Sequence, residues 1–276
     1  MWNPSSLERF EVSLATSMGT SRVQTDCGLA FIKAMNNPQG PHPLACELLG
    51  TELARWMGLP TFEFAVLDLS GEDAAMVRFA NGNFAVAGPA FITKAAGGYP
   101  WGGSSSELKH LVNVSDISRL VVFDTWVLNW DRYPPEDSGK TQNLSNVFLE
   151  NVPDASDGSI RLIAMDHSHC LARGSALNPS IGYIDRIQAD GVYGIFPGFR
   201  ELIREEFVIE AIEKLSEVDQ NMIRGVVNKI PREWDIDSET RDALVRLLVQ
   251  RAVYVADTIL PSIRKICWPN QLFDKS

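Results

Sequence analysis

The chain has 276 residues, 45% hydrophobic and 22% charged, with a net charge of −10. That is ordinary globular composition, with apolar material for one large domain or two small lobes around a cleft. The acidic balance argues against a large nucleic-acid footprint or binding to an anionic membrane surface, and no apolar run reaches the roughly 18–20 residues of a membrane span.

Cys27, Cys46, Cys170 and Cys267 show no CxxC spacing. They read as reduced core thiols, which fits a cytoplasmic protein. MWNPSSLERFEV lacks a basic region followed by an apolar run, so no secretory signal is expected.

In chain order, RFEVSLATS and LAFIKAM alternate apolar and polar residues. With Gly19 and the polar stretch Thr20 to Asp26 between them, they predict a hairpin with a glycine-bearing loop. PLACELLGTELARWMGLP puts Leu44, Leu48, Leu49, Leu53, Trp56 and Met57 on one helical stripe, and Gly58 with Pro60 predicts its end. TFEFAVLDL reads as a strand, and MVRFANGNFAVAG as two short strands around an Asn-Gly turn. From about residue 95 the Gly/Ser/Pro-rich YPWGGSSS predicts a boundary between units 1–95 and 96–276.

Beyond it, Ser115 is the expected N-cap of a helix over Asp116–Leu128, stopped by Pro134 and Pro135. NVFLE and IRLIAMD predict strands joined by the turn PDASDG. Helices are then expected over Glu201–Leu215, from a Ser216 cap through about Lys229, and from a Ser238 cap over Glu239–Ile259, where Pro261 ends or kinks the last. The pattern is α+β: a β-rich first lobe with one helix, then a larger helical lobe containing a small hairpin.

Residues suited to phosphoryl transfer occur along this plan in a telling order. SMGTSR, with Gly19, Thr20 and Ser21, is a glycine-bearing loop between strands. Lys33 lies in the next strand and can bridge nucleotide phosphates, held by Glu47 from the next helix. VVFDTWVLNWDRYPP is an apolar helix ending in Asp131, which can orient an acceptor hydroxyl and take its proton. Asn143 and Asn146 precede a strand, and Asp166 ends the following one; an asparagine and an aspartate can hold magnesium. Little covalent chemistry is asked of such a protein, so position and electrostatics dominate.

Taken singly, each residue has a plainer reading. Lys33 and Glu47 could be solvated charges, Asp131-Arg132 a surface ion pair, Asp166 a turn cap and SMGTSR a simple turn. His167 and His169 could bind zinc, but His42 and His110 are isolated and supply no convincing further ligands.

In CELLGTELARWMGLP, FDTWVLNWDRY, NVFLE followed by LIAMDHSHCL, and YGIFPGFRE, the chain resembles the HipA-like kinase family. That family has a two-lobed protein-kinase-like fold related to the PI-3/4-kinases. The resemblance implies Lys33 as the nucleotide lysine, Asp131 as catalytic base and Asp166 as metal ligand, with His167 or Ser168 in place of the usual glycine. It further implies ATP and magnesium as cofactors and a serine or threonine of a protein as acceptor. Some members are toxins of toxin–antitoxin operons, so an antitoxin-type protein is an expected partner.

Relatives can phosphorylate a serine in the glycine loop, which makes Thr20 or Ser21 the expected self-modified residue. Two positions depart from the family pattern. Asp131-Arg132-Tyr133 stands where members read Asp-Arg-His. Glu136 takes the place of the metal asparagine, and PPEDSGKTQ intervenes before the next one. With that stretch as an inserted flap, Asn146 is the first choice for the metal and Asn143 the second; loss of the ligand is a third reading. The rivals are a nucleotide- or partner-binding pseudokinase and a kinase of small molecules or lipid headgroups.

Overall fold

Short strands with alternating burial open the chain in a computed structural model that describes residues 2–135, 139, 142–153 and 158–269. Leu7–Ser13 (β1), Ser21–Thr25 (β2) and Gly28–Lys33 (β3) pair antiparallel in succession. The polar stretch expected as a connection is therefore itself a strand. In β2 only Val23 is apolar and buried, but Ser21 and Thr25 are buried beside it. Ser21 Oγ donates to the Arg78 carbonyl at 3.0 Å and Thr25 Oγ1 to the Gly28 carbonyl at 2.8 Å. Buried hydroxyls satisfied by main chain hide the alternation from a count of apolar residues.

His42–Trp56 (α1) follows, with Leu44, Leu48, Leu49 and Leu53 buried. Phe64–Leu69 (β4) and Gly88–Lys94 (β5) complete a five-stranded sheet of order β1-β2-β3-β5-β4. Gly71–Met76 (α2), capped by the Ser70 side chain on the Asp73 N–H, precedes the two short strands expected around the Asn-Gly turn. What remains of that hairpin is one bridge, Arg78 to Phe84. Nothing in the alternation announced β5, and its packing gives the reason. Ala90 and Ile92 face a small core shared by the sheet and α2, while Phe91 belongs to the large core of α1 and the later helices. From Pro89 to Ile92 neither face meets water, so no polar residue marks that run.

The chain crosses at residues 95–97 into a second antiparallel sheet, Gly98–Pro100 (β6), Val147–Asn151 (β7) and Ile160–Ala164 (β8), in that order. Between β6 and β7 lies Ser115–Trp126 (α3), buried nearly throughout. Ser115 is its first helical residue rather than its cap. Asn113 instead ties the helix start to β8, donating to Asp116 Oδ2 at 2.7 Å and accepting the Leu162 N–H at 2.9 Å.

The rest is helical: Ile184–Ile187 (α4), Glu205–Leu215 (α5), Gln220–Val227 (α6) and Ser238–Cys267 (α7). Here the expected caps are each displaced. α5 starts at Glu205, not Glu201. Asp219 caps α6, whereas Ser216 Oγ donates backwards to the Ile212 carbonyl at 2.9 Å. Asp237 caps α7, and Pro261 lies inside that helix. Ser216 instead ends α5, and at α7 the aspartate beside Ser238 supplies the acceptor.

Candidate active site

The two sheets enclose a cleft of about 370 Å³. Its lining is apolar at Phe31, Phe91, Phe148 and Met165, and charged where Lys33, Glu47 and Asp166 meet. Lys33 is the last residue of β3, and Glu47 lies on the buried face of α1. Lys33 Nζ stands 2.6 Å from Glu47 Oε2 and 3.0 Å from Asp166 Oδ1. The second Glu47 oxygen accepts the His167 N–H at 3.2 Å, so Glu47 binds both the lysine and the segment carrying Asp166. Asp166 follows β8 in a left-handed conformation, φ +55°, and accepts from Ser168 Oγ at 2.9 Å.

A small residue on α1 makes this meeting possible. A Cβ at Gly50 would lie 2.3 Å from His167 Cβ, so only glycine lets the helix approach the segment so closely.

The charges are set by opposing effects. Burial pulls the Lys33 ammonium down, but Asp166 and Glu47 outweigh it and its pKa is raised. Burial pushes the Asp166 carboxyl up, and Lys33 reverses this, bringing it to about 2. At Glu47 burial wins over Lys33 and the carboxyl is raised. Lys33 and Asp166 are thus charged at neutral pH.

Asp131 lies beyond α3, where Leu128 turns left-handed at φ +53°. Asp131 Oδ2 accepts from Asn146 Nδ2 at 3.0 Å and from Asn143 Nδ2 at 3.2 Å, and His169 Nδ1 stands 3.5 Å from Oδ1. The neighbouring Arg132 is not half of a surface ion pair, because it is fully buried. Its Nε lies 2.7 Å from Asp124 Oδ2 on α3, and its terminal nitrogens donate to the carbonyls of Asn146 and Met165. One guanidinium thereby fixes the loop of Asp131, the residue before β7 and the residue before Asp166.

The remaining predicted residues are distributed unevenly. Thr20 lines the cleft with Leu14 and Thr16. Gly19, at φ +63°, packs under Phe79, where a Cβ would meet the ring at 3.0 Å. Ser21 turns away to the Arg78 carbonyl and is fully buried. Glu136 and most of PPEDSGKTQ lie outside the described residues. Tyr133 packs on Phe196, ring centroids 5.0 Å apart.

The two histidines after Asp166 take different partners. The His167 ring is buried 5.4 Å from Phe123, and burial, helped by Arg132, holds it neutral. His169 faces Asp131 and Gln39. Among the described residues no cluster of three His, Cys, Asp or Glu side chains could hold a metal, which leaves the zinc reading without a site.

Sequence reasoning passed over the apolar lining. A signal for part of it was there, since Phe31 is two residues before Lys33 on one strand and so shares its face.

A family model for HipA-like kinases matches residues 24–176, more than half of the 276-residue chain. The chain belongs to the HipA-like kinase family. The matched part of this HipA-like kinase contains Lys33, Glu47, Asp131, Asn143, Asn146 and Asp166. Its fold is similar to that of the proinflammatory kinase CtkA of Helicobacter pylori, with a TM-score of 0.58 and 11% identity, covering 95% of this chain and 98% of that one. A Golgi casein kinase with Mn/ADP bound is also similar, with a TM-score of 0.49 and 12% identity, covering 93% of this chain and 74% of that one. No curated protein matches the chain. The fold expected from the sequence is met: α+β and kinase-like, with a β-sheet N-terminal region and a mostly helical C-terminal part.

Proposed function

We propose that this HipA-like kinase transfers the γ-phosphate of ATP, with magnesium, to a serine or threonine hydroxyl of a protein. The observation that carries the reading is the convergence of Lys33, Glu47 and Asp166 at the cleft, with Asp131 held by Asn143 and Asn146 beside it. Lys33, kept cationic, would bind phosphate oxygens, and Glu47 would hold it in line. Asp131 would accept the proton of the acceptor hydroxyl. The aromatic lining suits a nucleobase.

A magnesium site fits the donors present. Asp166 offers an ionised carboxylate, and magnesium prefers oxygen donors and keeps several waters, so few protein ligands suffice. The asparagines differ in what they have left to give. Asn143 commits its carboxamide oxygen to the Ser145 N–H at 3.2 Å, while Asn146 turns only its amide to Asp131 among the bonds of its side chain. Asn146 with Asp166 is therefore the preferred pair. Magnesium, when bound, neutralises charge on the transferring phosphate.

The protein acceptor and an antitoxin-type partner are supported by the family resemblance. The reduced thiols support a cytoplasmic setting, and among the described residues no helix is long and apolar enough to cross a membrane. Self-phosphorylation is retained for Thr20 alone, since Ser21 is sealed against Arg78.

Transfer of labelled phosphate from ATP to proteins of a cell lysate, with mass-spectrometric mapping of the sites, tests the reading. Asp131→Asn is expected to lose about 10²–10⁴ in rate with nucleotide affinity within a few-fold, as removal of a general base does. Full turnover by the variant would remove Asp131 from this role. Nucleotide binding by the wild type without transfer to any acceptor would favour the pseudokinase.

A further inference from the structure

Three cations lie on aromatic rings among the described residues, and two of them also have an oxygen partner. Lys214 stands over Trp56 and pairs with Glu217 at 2.5 Å. Arg55 stands over Phe64 and donates to the Phe62 carbonyl at 3.4 Å. Arg173, 4.2 Å from the centre of the Trp130 ring, is exposed and has neither a hydrogen-bond acceptor nor a carboxylate partner among the described residues. We propose that Arg173 selects the acceptor: the kinase prefers a serine or threonine flanked by an acidic residue, whose carboxylate Arg173 binds. The inference rests on the kinase reading given above and narrows its substrate class.

Two routes place this guanidinium beside the catalytic base. Trp130, on which it lies, is the residue before Asp131. Gly174, the residue after it, has its Cβ position 3.6 Å from the His169 ring, and His169 Nδ1 stands 3.5 Å from Asp131 Oδ1. The segment leading to it is fixed. The Leu171 N–H donates to the Val127 carbonyl at the end of α3 at 2.7 Å, and Leu171 and Ala172 are buried in the large core. Arg173 then emerges in a left-handed conformation, φ +55°, which a residue other than glycine adopts only at some cost.

Contact with a ring face holds a guanidinium without spending its N–H donors on an acceptor. The ring also limits the swing of the side chain, so less entropy is lost when the fork closes on a carboxylate. That fork matches a carboxylate with two parallel charge-assisted bonds. The rest of the surface works against an acidic substrate, since a net charge of −10 repels one at long range. A preference for acidic flanks therefore has to come from a cation beside the base. Lys33, also at the cleft, is already held by Glu47 and Asp166, whereas Arg173 is uncommitted.

Site mapping on dephosphorylated lysate, treated with ATP and the wild type or a variant, tests the preference. Peptides carrying the strongest sites are then remade with each flanking Asp or Glu changed to Gln. The mapped sites are expected to be enriched in Asp and Glu. The acidic peptides should exceed their Gln counterparts by about 3–10-fold in kcat/KM, the scale of a partly exposed charge pair. That ratio should fall as salt is raised. Arg173→Gln should bring it to about one, and Arg173→Lys, a charge without the fork, should keep part of it. Arg173→Glu should move the mapped sites towards Lys and Arg. Lys214→Gln, which removes the other tryptophan-bound cation, should leave the ratio as in the wild type.

Wild-type sites without acidic enrichment, or a ratio that survives Arg173→Gln, would overturn the proposal and leave the kinase reading standing. An unchanged ratio with weakened ATP binding in Arg173→Gln would overturn it by placing the guanidinium on the nucleotide. Arg173→Lys keeps the question open to measurement if the neutral variant fails to fold, and in it a ratio no lower than the wild type's counts against the proposal. Absence of transfer by the wild type would defeat the kinase reading, and the acceptor preference falls with it.

Discussion

Burial alone would raise the Asp166 carboxyl, and the Lys33 ammonium 3.0 Å away reverses the effect and brings it to about 2. The folded value lies below the ordinary aspartate value of 3.8. The pair therefore stabilises the protein above about pH 4, and that contribution is lost as pH falls towards about 2. Asp166→Asn is expected to flatten the acid limb of stability, measured as denaturation midpoints across this window; parallel curves for variant and wild type would contradict the pairing. The same variant should weaken ATP binding more with magnesium than without, and equal losses in calorimetry would mean that Asp166 does not touch metal. At this scale the sequence singled out Lys33, Glu47 and Asp166, which the structure brings together, and Asp131, which it sets beside Asn143 and Asn146. It was not legible at Ser21, because a serine beside a glycine reads the same whether it faces a cleft or the Arg78 carbonyl. Arg132 hid for a related reason: its partners are an aspartate on α3 and two carbonyls distant in sequence.

The secondary elements position the site through close contacts that a pattern of apolar residues does not reveal. α1 was readable from its leucine stripe and its glycine stop, yet the residue that sets its distance from Asp166 is Gly50. A Cβ there would sit 2.3 Å from His167 Cβ, so helix and segment must separate. Gly50→Ala is expected to cost about 1–3 kcal/mol by overpacking. It should also abolish activity, since the displaced helix carries Glu47 away from Lys33. Gly225→Ala on α6 is the control: its Cβ meets nothing within 4 Å, and the better helix former should be neutral or stabilising. Chemical denaturation of both variants, with transfer assays, checks this; a stable, active Gly50→Ala would show that the segment yields to the helix at little cost. β2 and β5 escaped sequence reading for opposite reasons, the one because its buried residues are hydroxyls and the other because it touches two cores. The serine caps failed because Ser216 ends α5, leaving Asp219 to cap α6, and because Asp237, one residue before Ser238, takes the Thr240 N–H.

Taken whole, the molecule has two cores, and they do not divide where the chain does. The break in composition near residue 95 matches the crossing between sheets, but α1 precedes it and packs in the larger core with α3, α5, α6 and α7. The smaller core holds only the first sheet, α2 and the residues around them. The cleft lies on the seam, with Phe31 and Thr93 on one wall and Phe148 and Met165 on the other. A ligand filling it would join the two units by contacts present only in the folded protein. At 100 times its dissociation constant such a ligand stabilises by about 2.7 kcal/mol. The free protein is expected to melt in a broadened transition, its van't Hoff enthalpy below the calorimetric one, because the first sheet and α2 have a core of their own, joined to the large one through Phe91 of β5. Magnesium and a non-hydrolysable ATP analogue should raise the midpoint and bring the two enthalpies together. Scanning calorimetry with and without the analogue decides the matter. A free protein that already melts with equal enthalpies would show that α1, although packed with the larger core, binds the first sheet tightly enough for both cores to unfold as one.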